Sequence, residues 1–298
     1  VTSAETGLGG YLARWDLDPD GPARRTPSSV LAPMSRGGAR LMLKVPIVEE
    51  ERRGGRLMRA WDGRGAAPVL ASDPDGTLLL ARADDPGILV SEASADGPDA
   101  DARDDAAPRI LARAARRLQA VPLDPRVVAD AVPLATWFRE LVDPVLPLPA
   151  ALDRGAGVAR DLLGGSGARV VLHGDVHHGN VLRFDGADDW RAIDPKALVG
   201  DPGFDTANVL ANPTPTIALR PGRLARRARI VAEETGIDVD AVLAWTEAWC
   251  ALSAAWDVGD AAQAPRVAAL ARLGEVARAA RRGGSSGSGS GNGNGNAT

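Results

Sequence analysis

The stretch Val171-Leu172-His173-Gly174-Asp175-Val176-His177-His178-Gly179-Asn180-Val181-Leu182, answered by Ala192-Ile193-Asp194-Pro195-Lys196, decides how the rest of this 298-residue chain is read. All three histidines of the protein fall inside it. So does Lys196, one of two lysines among 35 basic residues; the other is Lys44. A lysine kept where arginine fills every other cationic position points to a task for a compact ammonium charge on a flexible stem.

His173, Asp175 and Asn180 stand at His-x-Asp-x4-Asn spacing, the pattern of a kinase catalytic loop. Phosphoryl transfer needs a carboxylate at the attacking hydroxyl, oxygen ligands for Mg2+ and a cation on the phosphates left behind. Asp175 suits the first task. Asn180 suits the second together with Asp194, which a hairpin over 181–193 brings back beside it. Lys44 suits the third, from a strand over 39–45. An acid on the following helix must then hold the lysine, and Glu50 is the expected partner, with Glu49 and Glu51 as alternatives.

Working outward, residues 28–34 and 39–45 read as a hairpin around Ser35-Arg36-Gly37-Gly38, followed by a helix over 49–61 and a strand over 78–82. Gly54 and Gly55 weaken that helix by about 1 kcal/mol each relative to alanine. The acidic, small-residue run 94–107 reads as a surface linker. Helices are expected at 108–118, 134–145, 150–163, 204–210, 223–235, 240–257 and 266–282. This predicts an α+β chain: a small sheet with one main helix over residues 1–85, a mostly helical part over 86–282, and a disordered Gly/Ser/Asn-rich tail over 283–298.

A net charge of −4 and a pI near 5.5 exclude a general affinity for nucleic acid, and no apolar run approaches the ~18 residues of a membrane span. One cysteine excludes an internal disulfide. A cytoplasmic monomer is expected. Ten positions separate Asp194 from Phe204, too few for a peptide-docking segment, so the acceptor is expected to be small. Asp257 and Asp260 would suit a cationic one, and Lys196 either neutralises charge beside Asp194 or positions the acceptor. Trp245, Trp249 and Trp256, on one helix face, are expected to be core.

The opening window continued through Asp205, with Arg59-Ala60-Trp61-Asp62-Gly63 and Leu252-Ser253-Ala254-Ala255-Trp256-Asp257, resembles the aminoglycoside and hydroxyurea resistance kinase family, streptomycin 6-phosphotransferases in particular, over about residues 11–282. The resemblance implies a two-lobed protein-kinase-like fold, with ATP between the lobes at main-chain groups near Ala81 and Ala83. It also implies an Mg2+-dependent transfer to a hydroxyl of a small antibiotic, with 6-O-phosphorylation of streptomycin as the expected reaction. Asp205 would anchor the catalytic loop and His173 would support it. Hydroxyurea or a metabolite is the alternative acceptor. Two readings of other classes remain: a metal-dependent hydrolase built on His173, His177, His178 and Asp175, and a pseudoenzyme that binds nucleotide or drug without turnover.

Overall fold

Two eight-residue strands, Ser29–Arg36 and Ala39–Pro46, form the expected hairpin, and Gly37 and Gly38 at its tip take the left-handed φ values of 57° and 82° that glycine tolerates. The computed structural model describes residues 3–285 apart from 146 and 187. Leu78–Ala81 pairs with the second strand, Val69–Ser72 lies beyond it, and Asp18–Pro19 and Arg24–Arg25 complete the other edge of an antiparallel sheet. Alternation along the strands sorts the side chains. Leu41, Leu43 and Leu79 pack under the helix Ser3–Trp15, whereas Lys44, opposite Leu78, reaches toward the other lobe. That first helix is unexpected, because Gly9 and Gly10 lower its local preference; packing through Leu8, Tyr11, Leu12 and Trp15 overrides it.

The helix Glu49–Trp61 opens with three acids at its positive end. Its two glycines mark close approach rather than weakness. A methyl group at Gly54 would collide with the Pro195 carbonyl oxygen, and one at Gly55 with that of Gly76. The helix therefore lies against the backbone of the turn that follows Asp194.

The second lobe is mostly helical. The expected linker 94–107 is overturned in part, since a helix spans Ala100–Gln119 and runs through Pro108. Asp104 is buried there against Arg223 at 2.6 Å and Arg226 at 2.9 Å, so one acid of a run that read as solvated surface is instead neutralised in the interior. The segment expected as a helix over 134–145 is two single turns, Leu134–Trp137 and Arg139–Val142. Val239–Asp257 is the buried centre, packed by Ala150–Leu163, Phe204–Ala211 and Ala264–Ser285. Phe138, Phe204 and Trp245 meet there at ring separations of 5.6–6.0 Å. Leu198–Gly200 pairs antiparallel with Val170–Leu172 and parallel with Val132–Pro133. Residues 286–298 of the expected tail lie outside the described residues. Among the described residues no helix is long and apolar enough to cross a membrane.

Candidate active site

Strand Val170–Leu172 delivers the loop 173–180, and the hairpin Val181–Phe184 with Asp189–Ala192 carries the chain back, where the Ile193 N–H donates to the Asn180 carbonyl at 2.8 Å. That bond sets Asp194 beside Asn180. Gly174 has a φ of 83°, and a Cβ there would sit 2.8 Å from Leu198, so the loop requires glycine on two counts. His173 is fully buried, stacked on Trp61 at 6.2 Å. Its Nε2 lies 2.8 Å from the Ile193 carbonyl, which can only accept, and its Nδ1 accepts from the Asp175 N–H. These partners define one neutral tautomer. Burial lowers its pKa to about 4, against the pull of Asp175. From the helix below, Asp205 accepts from the backbone N–H groups of His173 and Gly174 and from Gln119. Burial raises its pKa to about 6 despite those donors.

Asp175 is gripped from several sides. Asn208 donates to Oδ1 at 2.5 Å, Asn180 donates to Oδ2 at 3.2 Å, and His177 Nε2 lies 3.6 Å away. Asn212 in turn donates to the Asn208 side-chain oxygen, fixing which end of the Asn208 amide faces Asp175. Burial opposes ionisation of Asp175, yet the hydrogen bond and charge of His177, with Lys196 beyond, hold its pKa below the ordinary value. Asn208 is missing from the sequence reading. Its one signal is its position three residues after Asp205, on the same helix face.

The two lysines interleave with two consecutive glutamates. Lys44 pairs with Glu51 and Asp194, whereas Glu50 pairs with Lys196 at 2.6 Å. The expected Lys44–Glu50 pair is thus corrected by one residue. Neighbouring helix positions point about 100° apart, and the inward one is Glu51, 4% exposed. Burial raises the Asp194 pKa, but Lys44 outweighs it and brings the value down to about 2. Its backbone is left-handed, φ 64°, a conformation that Asp accepts. Lys44 and Asp194 line a cavity of about 370 Å³ between the lobes, together with Ala81, Ala83, Met42, Leu80 and Leu182. The Asn180 amide nitrogen is committed to Asp175, which leaves its oxygen, with the Asp194 carboxylate, as hard donors of the kind Mg2+ takes.

A second cavity, about 350 Å³, lies on the other side of the loop and is lined by Asp175, Lys196, Trp137, Trp249, Ser253, Trp256, Asp257 and Arg266. Asp257 belongs to it. Asp260 does not line it; its carboxylate instead accepts from the Ala262 N–H and caps a short turn. The aromatic face splits, because Trp245 is core while Trp249 and Trp256 wall this cavity. The three histidines do not converge on a metal. His178 accepts from Arg227 at 2.9 Å and His177 accepts from the Gly179 N–H, so each imidazole is engaged separately. The zinc reading therefore has no ligand set in the loop.

The sequence model of the aminoglycoside/hydroxyurea antibiotic resistance kinases matches residues 14–261. A streptomycin 3''-kinase of Klebsiella pneumoniae is 42% identical over 84% of this chain and 91% of its own length. A streptomycin 6-kinase of Streptomyces glaucescens is 33% identical over 88% and 86%. Among solved structures, a thermostable mutant of an aminoglycoside phosphotransferase, in complex with ADP and hygromycin B, superposes with a TM-score of 0.62 at 15% identity, covering 98% of this chain and all of that one. With a sheet lobe, a helical lobe and a kinase-type loop between them, the chain belongs to the aminoglycoside/hydroxyurea antibiotic resistance kinase family and is a phosphotransferase of two-lobed, protein-kinase-like fold.

Proposed function

We propose that the chain transfers the γ-phosphoryl group of ATP to a hydroxyl of streptomycin. The observation that carries this reading is that Asp175 lines one cavity while Lys44 and Asp194 line the other, so that an acceptor and a nucleotide would meet across the loop 173–180. Residues 1–85 form the nucleotide-side lobe and residues 86–282 the lobe of the base and the acceptor. Asp175 orients the acceptor hydroxyl and takes its proton. Lys44, braced by Glu51, holds the outer phosphates, and main-chain groups at Ala81 and Ala83 border the base of the nucleotide. Asn180 and Asp194 would hold Mg2+. That ion, when bound, neutralises the phosphate oxygens. His173 and Asp205 keep the loop in register, and Lys196, its charge met by Glu50, lines the acceptor cavity. Most of the rate gain then comes from positioning and fixed charge. A reaction fed by ATP belongs in the cytoplasm, and every group it uses comes from one copy of the chain.

Of the two hydroxyls named for the streptomycin kinases, the higher identity favours the 3''-hydroxyl over the 6-hydroxyl expected from the motifs. The test is a coupled ADP-release assay with streptomycin, other aminoglycosides and hydroxyurea, followed by localisation of phosphate on the product by NMR. Streptomycin-dependent ADP release is expected; release with hydroxyurea alone would move the acceptor, and none with any of them would favour the non-catalytic reading. Asp175→Asn should retain nucleotide binding and lose at least about a hundredfold in kcat, so a smaller loss removes Asp175 as the base.

A further inference from the structure

The acceptor cavity already holds a guanidinium, and it is the protein's own. Arg266, in the first turn of the helix Ala264–Ser285, reaches back to the helix Val239–Asp257, pairs with Asp257 and donates to the Ser253 hydroxyl at 2.8 Å. Both partners line the cavity beside Asp175, and Trp137, Trp249 and Trp256 form its wall. Trp137 meets Trp256 edge to face at 5.5 Å, which fixes the outer part of that wall. A carboxylate, a hydroxyl oxygen and indoles are a set that suits a flat, forked cation: the carboxylate accepts two N–H bonds and an indole face attracts the charge.

The charge inventory shows what Arg266 does there. With Arg266 in place, Asp257 is matched by Arg266 and Lys196 by Glu50, and a cationic acceptor gains nothing at Asp257. If Arg266 leaves, Asp257 is freed, and Lys196 is already neutralised by Glu50. Departure is easy, since the Arg266 side chain is 39% exposed on a flexible stem and Asp257 is its carboxylate partner.

Resting on the reading of this cavity as the acceptor site, we infer that Arg266 is an internal stand-in that holds Asp257 in the empty enzyme and yields it to a guanidinium of the acceptor. The Arg266–Asp257 pair then selects acceptors twice over. It admits planar cations, and it rejects those whose guanidinium is their whole contact, because an intramolecular competitor acts at a high effective concentration. Streptomycin carries guanidinium groups on its cyclitol and further contacts on its sugars, so it can displace the arginine. A small free guanidine cannot.

The test compares wild type, Arg266→Gln, Arg266→Lys, Asp257→Asn and the Arg266→Gln/Asp257→Asn double variant, by steady-state kinetics with streptomycin and by calorimetry with agmatine, a guanidine without a sugar. Arg266→Gln should lower the streptomycin KM about fivefold, the order of a partly exposed ion pair, with the ATP KM unchanged and agmatine binding newly measurable. Arg266→Lys should stay close to wild type. Asp257→Asn should raise the streptomycin KM, and adding Arg266→Gln to it should bring no further gain. An unchanged or raised streptomycin KM in Arg266→Gln, at unchanged melting temperature, overturns the inference; so does an equal gain without Asp257. Agmatine binding gained in Arg266→Gln but no streptomycin turnover in wild type would support the stand-in and remove streptomycin as the acceptor.

Discussion

Asn208 aims the Asp175 carboxylate, and Asn212 aims Asn208. A carboxylate held this way presents one oxygen in a fixed direction, which matters because an ångström of misplacement at the reacting atom is worth about a hundredfold in rate. Asn208→Leu keeps the volume and removes the donor, so kcat is expected to fall between about tenfold and a hundredfold with the ATP KM unchanged; an equal loss in nucleotide affinity would mark a general collapse of the loop instead. Asp175, Asn180 and Asp194 stand out in the sequence because their spacing matches that of a kinase catalytic loop, and the fold brings them to one loop and the turn beside it. Asn208 does not, since one asparagine inside a helix carries no mark of what it faces. Nor does the choice of Glu51 over Glu50, because consecutive acids differ only in helical phase, and phase depends on how the helix docks.

At the level of elements, the helix Glu49–Trp61 is where docking and chemistry coincide. It carries both glutamates that hold the two lysines, and it can approach the turn after Asp194 only because residue 54 has no side chain. Gly54→Ala should therefore destabilise the protein by about 1–3 kcal/mol through overpacking, rather than gain the ~1 kcal/mol that alanine brings to a free helix. Denaturant unfolding checks this, and a stabilised variant would show that the helix moves away at no cost. Gly55→Ala should behave alike, against the turn 73–76. Long, strongly patterned elements were readable: the hairpin, this helix and the buried helix Val239–Asp257. The three-residue strand Leu198–Gly200 and the helical stretch over acids from Ala100 were not, because their partners come from distant parts of the chain.

For the molecule as a whole, two buried groups make stability respond to acid in opposite directions. The unfolded chain protonates His173 near its ordinary 6.5, whereas the fold refuses the proton until about 4. Its contribution is complete above pH 6.5 and is lost as the pH falls toward 4. Asp205, raised to about 6 from an ordinary 3.8, is protonated in the fold before it is in the unfolded chain. Its contribution is complete below pH 3.8 and is lost as the pH rises through 6. Each shift is worth about 3 kcal/mol, so between pH 4 and 6 they largely offset. His173→Gln removes one side of the balance, and its unfolding free energy should fall by up to about 3 kcal/mol from pH 4 to pH 6 while wild type stays nearly level. Parallel denaturant titrations of the two proteins decide the matter, and equal slopes would remove His173 from the account. The strand Leu198–Gly200 has a further consequence at this scale. Directly after Lys196 it is pinned on both sides, so the backbone over residues 198–200 is not a loose segment. A switch built on order and disorder of residues 198–200 would first have to strip a strand from partners on two sides.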